Sequence, residues 1–296
     1  MKNIIFRGCG TAIATPFTED GVNLEELTKL IEEQINQEVD AIIVCGTTGE
    51  ASTMTEEEKL QTIQHAVKVA NKRVPVIAGT GSNNTEAVIK MNHEVKKIGV
   101  DGVLIVTPYY NKTTQKGLIQ HYKTIAENTD LPIIMYNVPS RTGVNIKPET
   151  CLELSKISNI VAIKEASGDI SQVASIASMC RENLTIYSGN DEQIIPVLAL
   201  GGKGVISVMS NIKPKYTHDI CQNFFEGNIV EANKMQLDAI PLIKALFSEV
   251  NPIPIKAALN IIGYNFGKPR LPLIEMTEEG KNTLKNILKT LKNNVN

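Results

Sequence analysis

"IVAIKEASGDI" (residues 160–170) opens as an apolar, β-branched run with a lysine in its fifth place. The run is too short for an ordinary helix and apolar at successive positions. That pattern reads as a strand buried on both faces. Lys164 is then the anomaly, because a buried charge costs several kcal/mol unless it is paired or neutralised. Taken alone, it reads as a strand-end lysine whose stem is buried and whose head reaches water.

Runs of the same kind recur along the chain: "CGTAIATPF" (9–17), "DAIIVCGTT" (40–48), "VPVIAGTG" (74–81), "DGVLIVTPYY" (101–110), "LPIIMYNVP" (131–139), "NIVAIKEAS" (159–167), "NLTIYSGN" (183–190) and "KGVISVMS" (203–210). Amphipathic helical patterns separate them, over 23–37, 55–71, 85–99, 114–129, 147–157, 169–180, 191–201 and 213–227. Thr55 with Glu58 makes a capping box, and Gly99 a helix stop. Strict strand–helix alternation implies a parallel sheet, open and doubly wound or closed. The count of eight, the span of the units and the absence of a GxGxxG or GxxxxGK[ST] after the first strand favour a (β/α)8 TIM barrel over residues 1–227. Beyond residue 228 the alternation stops. Three helical patterns, 230–249, 252–263 and 277–294, predict a C-terminal helical appendage over 228–296, with "NPIP" and "GKPRLPL" as connectors.

Bulk properties narrow the function. The chain has 296 residues, 42% hydrophobic and 21% charged, which is globular and large enough for a sizeable core. A net charge of −2, no Trp and 4% aromatics leave no field or stacking surface for nucleic acid or a membrane. Five scattered cysteines without a CxxC predict free thiols and a cytoplasmic setting. The four histidines lack metal-ligand spacing, and neither a signal peptide nor a transmembrane stretch is evident.

In such barrels the reacting groups gather at the C-terminal strand ends. Those ends carry "GTTGE" (46–50), "TPYYN" (107–111), "YNVPSRTG" (136–143), Lys164 and "SGND" (188–191), but no Cys–His pair and no acidic cluster. Hydroxyls, tyrosines, one Arg and one Lys suit a lysine nucleophile, hydroxyl proton carriers and carboxylate binding. Alternation puts Ile160, Ala162 and Lys164 on one face. If that face is the barrel interior, desolvation favours the neutral amine, which attacks ketones to form a Schiff base. Tyr136, on the adjacent strand end, is a candidate proton carrier or simply a rim tyrosine. Arg141 is a candidate carboxylate binder or a solvated loop arginine. Thr47 and Thr48, between two glycines, read as an anion-holding loop or a plain turn.

"GTTGE" (46–50), "TPYYNK" (107–112), "YNVPSRTG" (136–143), "IKEASGD" (163–169) and "YSGND" (187–191), in this order, resemble the 4-hydroxy-tetrahydrodipicolinate (dihydrodipicolinate) synthase family of pyruvate-dependent aldolases, over about residues 4–294. The resemblance implies a TIM barrel with a C-terminal helical domain and a lyase that needs no metal or organic cofactor. Lys164 would carry the covalent Schiff base with pyruvate, and Tyr136, Thr47 and Tyr110 would relay protons, Tyr110 across a subunit interface. Thr48 would hold the pyruvate carboxylate, and Arg141 that of L-aspartate 4-semialdehyde. Gly189 and Ile206 would line the pocket through backbone carbonyls. The implied step begins lysine (diaminopimelate) biosynthesis, and the implied assembly is a homotetramer, a dimer of dimers.

Sister families keep the lysine and the Tyr136-type residue. N-acetylneuraminate lyase usually carries Ser-Thr in place of Thr47-Thr48 and lacks the Arg141-type residue. That lyase, or a sugar keto-acid aldolase, is the alternative, and a catalytically dead binding barrel is a third reading. In family members inhibited by L-lysine, His or similar polar groups follow "GTTGE" and an acid sits on the next strand's helix. Asn83 and Tyr109 match that pocket, and Glu86 falls one place early. Lys59, in "ASTMTEEEK" (51–59), would oppose a lysine amine, so feedback inhibition is expected to be weak or absent.

Overall fold

All eight apolar runs become parallel strands of one closed barrel: β1 (Gly8–Ala12), β2 (Ala41–Val44), β3 (Val76–Gly79), β4 (Gly102–Val106), β5 (Ile133–Asn137), β6 (Ile160–Glu165), β7 (Thr185–Ser188) and β8 (Gly204–Ser207), with β8 returning to pair with β1. The computed structural model describes residues 4–293, with side chains described through residue 290. Helices α1 (Leu24–Asn36), α2 (Glu56–Ala70), α3 (Thr85–Ile98), α4 (Gln115–Glu127), α5 (Pro148–Leu154), α6 (Ile170–Cys180), α7 (Ile194–Ala199) and α8 (Pro214–Phe225) follow the strands in turn. The chain is a (β/α)8 TIM barrel with C-terminal helices.

Apolar residues on both strand faces build two separate cores. Along β4, Val103 and Ile105 pack outward into the layer shared with the helices, whereas Leu104 packs inward with Ile43, Ile77 and Ile134. Alternation therefore holds, but both faces are apolar, as parallel strands require. The strand β6 breaks the simple alternation. Its register against β5 pairs Ile133 with Ile160 but Ile134 with Ala162, so Val161 is an extra residue. Ala162 belongs to the interior cluster as expected, while Ile160 packs in the outer layer. This irregularity corrects the expectation that Ile160 shares a face with Lys164.

Local signals set the helix ends. Thr55 and Glu58 form the reciprocal capping box of α2, with bonds of 3.1 and 3.0 Å. Gly99 closes α3 at φ 93°. The expected helix over 191–201 is instead a 3-10 turn, Asp191–Gln193, followed by α7. Pro196 falls in the first turn of α7, where its missing N–H is tolerated. Small elements not expected include a hairpin pairing Phe17–Thr18 with Gly21–Val22, and a helical turn Pro139–Thr142 closed by Gly143 at φ 71°.

Helices α9 (Ile229–Leu246), α10 (Ile253–Ile262) and α11 (Glu278–Asn293) complete the chain. Residues 294–296 of the expected appendage, and residues 1–3 at the other end, lie outside the described residues. The segment from α10 onward is fastened to the barrel by charge. Lys256 Nζ lies 2.7 Å from Glu50 Oε1, with these side chains 1% and 0% exposed, and donates to the Lys268 carbonyl at 3.1 Å. The Arg270 backbone N–H donates to Glu50 Oε2 at 2.9 Å. The Arg270 guanidinium forks onto Glu58 at 2.7 and 2.6 Å. Both cations lie over the Phe17 ring. Among the described residues no helix is long and apolar enough to cross a membrane, and all five cysteines are buried and free.

Removing one partner of the Glu50–Lys256 pair leaves a buried charge uncompensated. Lys256→Met is expected to lose about 3–5 kcal/mol of stability, read as a lowered urea midpoint. A midpoint equal to that of the parent protein would contradict this account.

Candidate active site

Lys164 stands one place before the end of β6, in register with Tyr136 of β5 on one side and Tyr187 of β7 on the other. The lysine is 6% exposed and Tyr136 7%. The ammonium nitrogen lies 4.5 Å from the Tyr136 ring centroid. Lys256, similarly buried, is neutralised by Glu50, whereas Lys164 has no ion pair among the described residues. The two tyrosines differ in what their hydroxyls do. Tyr187 donates to the Phe6 carbonyl at 2.6 Å, and its ring stacks on Phe6 at 4.2 Å, closing the interior. Tyr136 instead lines a cavity of about 390 Å³ at the C-terminal strand ends.

The same cavity is lined by Thr47, Tyr109, Val138, Arg141 and Lys59. Thr47 is half-buried and Thr48 buried, on a loop tightened by bonds from Gly49 N to Gly46 O (3.1 Å) and Glu50 N to Thr47 O (3.1 Å). Glu50 sits at φ 54° there, a left-handed conformation rare for a residue with a Cβ. The clamp from Lys256 and Arg270 holds it in that conformation. A β-carbon on Gly79 would fall 2.2 Å from the Cys45 carbonyl, so a glycine is required for β3 to pass the base of this loop. Burial pushes the thiol of Cys45, at the base of this loop, up to about 12, which disfavours a thiolate there.

Arg141 projects from the Pro139–Thr142 turn, exposed, and its Nη2 donates to the Asn251 carbonyl at 3.1 Å. Gly189 follows β7, its N–H donating to the Glu165 carbonyl at 2.7 Å, and Ile206 is buried in the interior cluster. Tyr110 is not brought into the cavity: it is 93% exposed at φ 70°. Asn83 and Tyr109 are brought together, the Asn83 amide donating to the Tyr109 carbonyl at 3.2 Å. Glu86 is exposed on the first turn of α3, and it is Ala87, one residue on, that lines the cavity.

Comparison with known proteins identifies the family. The model of the dihydrodipicolinate synthetase family matches residues 5–291. The chain belongs to this family. It is 57% identical over 285 residues to 4-hydroxy-tetrahydrodipicolinate synthase 1 of Clostridium acetobutylicum, covering 96% of this chain and 97% of that one. It is 56% identical to 4-hydroxy-tetrahydrodipicolinate synthase of Acetivibrio thermocellus, covering 98% of each. The crystal structure of dihydrodipicolinate synthase from Thermotoga maritima superposes with a TM-score of 0.95 at 45% identity, over 97% of this chain and 99% of that one.

Within this family frame, several residues that support the site carry no local signal. Glu165 faces outward from Lys164 and is buried. Its carboxylate accepts from Ser167 N (2.7 Å), Asn137 Nδ2 (2.9 Å) and Gln172 Nε2 (3.2 Å), while burial pushes its acidity down and its pKa up. Asp191 is buried too. It accepts from the N–H groups of Val208 and Met209 at 3.1 and 2.9 Å, tying the end of β8 to the loop after β7. Burial raises its pKa against the pull of those bonds and of the Lys164 charge. Asn251, read from the sequence only as part of a connector, touches both Thr48 and Arg141. Among the described residues no group of three or more His, Cys, Asp or Glu is placed to hold a metal ion.

Gly189 is closely packed against the end of β6. A β-carbon there would lie 2.6 Å from Ala166 Cβ and 3.0 Å from the Glu165 carbonyl. Gly189→Ala is expected to destabilise by about 1–3 kcal/mol through this overpacking. Thermal unfolding reads it as a drop of several degrees, and an unchanged midpoint would show that the β6–β7 tips are free to spread.

Proposed function

We propose that the chain condenses pyruvate with L-aspartate 4-semialdehyde to 4-hydroxy-tetrahydrodipicolinate, through a Schiff base on Lys164. One observation carries the reading: a buried lysine without an ion pair among the described residues stands against a cavity-lining tyrosine, in a chain 57% identical to a synthase of that name. The Lys164 amine attacks the pyruvate ketone and water leaves, giving the imine. Tyr136, relayed through Thr47, takes a proton from the methyl carbon; the resulting enamine attacks the aldehyde carbon of the semialdehyde, and the aldehyde oxygen takes that proton back to become the 4-hydroxyl. The semialdehyde's amino group then displaces Lys164 and closes the ring. Thr48 holds the pyruvate carboxylate, Arg141 the semialdehyde carboxylate, and the Gly189 and Ile206 carbonyls face the bound pyruvate. The lysine is the electron sink, so no metal or organic cofactor takes part. Tyr110 acts from a neighbouring subunit, in a cytoplasmic homotetramer; its exposure fits such a role.

Pyruvate with borohydride is expected to add one reduced-pyruvate mass to the Lys164 peptide and to end activity. Label on any other peptide, or none, would sink the reading. Trapping without turnover of the semialdehyde would point to a different keto-acid aldolase, such as N-acetylneuraminate lyase.

The proposed enzyme also escapes strong feedback by L-lysine. The cavity that Tyr109 lines also presents Lys59, its acid Glu56 is paired with Lys90 at 2.9 Å, and Ala87 lines it where Glu86 falls one place early. Millimolar L-lysine is expected to leave most of the activity intact, and inhibition to near completion would refute this.

A further inference from the structure

Asn251 lies between α9 and α10, 6% exposed, and makes one contact to the threonine loop and one to the cavity-lining Arg141. Its side-chain Nδ2 donates to Thr48 Oγ1 at 3.1 Å, and its backbone carbonyl accepts from Arg141 Nη2 at 3.1 Å. Its Oδ1 is buried and has no hydrogen-bond partner. A threonine hydroxyl carries one proton and two acceptor sites. The Asn251 amide occupies one acceptor site, and none of the described residues takes the Thr48 hydroxyl proton. That proton is therefore left to an incoming acceptor.

We infer that Asn251 is a positioning residue that turns the Thr48 hydroxyl into a dedicated donor for the carboxylate of the keto acid, while its backbone carbonyl anchors Arg141 for the second substrate. The inference rests on the proposed function of the same site. It assigns the two contacts to different atoms, so they are separable: a side-chain substitution removes the Thr48 contact and keeps the carbonyl that holds Arg141. A purely structural role for Asn251 would instead weaken both substrates together.

The test uses the full chain and measures the pyruvate concentration giving half-maximal borohydride trapping on the Lys164 peptide, alongside KM for L-aspartate 4-semialdehyde. Asn251→Ala is expected to raise the pyruvate half-saturation about tenfold, the size of one lost buried hydrogen bond. The semialdehyde KM should stay within about twofold. In a Thr48→Val background, the same Asn251→Ala change should add less than about twofold, because the partner is already gone. Asn251→Asp keeps the volume but offers only acceptors, which would claim the Thr48 proton; it is expected to impair trapping more than Asn251→Ala does. Asn251→Ser, able to donate through its hydroxyl, serves where the alanine variant does not fold, and should fall between the parent and the aspartate variant. Unchanged half-saturation in Asn251→Ala, independent losses in the double variant, or equal losses for both substrates would each overturn the inference. Absence of trapping in the unsubstituted protein would overturn the proposed function itself and not this step.

Discussion

A closed ring of strands leaves a side chain two destinations, the interior or the helical layer, and Lys164 has the interior one. Everything at the cavity follows from this constraint. Below the amine, Tyr187 and Phe6 stack and exchange hydrogen bonds, so the interior is closed in that direction. Beside it, the Tyr136 ring stands 4.5 Å away. The outward neighbour Glu165 is held by three donors and does not compete for the ammonium. On the far side of Tyr136, which lines it, lies the cavity at the strand ends. There the loop after β2 and the turn after β5 present hydroxyls and a guanidinium.

Most of this architecture was readable from the residues because its signals are local. Val and Ile density marked the barrel strands from β2 onward, β1 (GCGTA) being marked only by its buried small residues, and Thr55, Glu58 and Gly99 marked helix ends by short-range bonds. Placing reacting groups at strand ends follows from topology, so Lys164, Tyr136, Thr47 and Arg141 emerged as candidates before any coordinates. What escaped is of two kinds. The extra residue at Val161 depends on register against β5, which no single strand encodes. The partners of Thr48 and Glu50 come from Asn251 and Lys256, separated from them by 203 and 206 residues. An "NPIP" connector and a lysine within an apolar helix give no local hint of such contacts.

The buried ion pair gives the C-terminal helices a role beyond covering the barrel. Glu50 adopts a left-handed backbone at the end of the threonine loop, and both its carboxylate oxygens are taken, one by Lys256 and one by the Arg270 N–H. The loop conformation therefore belongs jointly to the two ends of the chain. Tyr110 makes the complementary point. It is 93% exposed, so of the three hydroxyls expected to relay protons only Tyr136 and Thr47 line the cavity of a single chain.

The distance in sequence between Glu50 and its partners has a temporal meaning during synthesis. A nascent chain that has emerged through residue 227 already contains every barrel strand and Lys164. It contains neither Lys256 nor Arg270, so its threonine loop carries a carboxylate with no counter-charge to draw it inward. The threonine loop gains the partners of its Glu50 carboxylate only with the last helices of the chain.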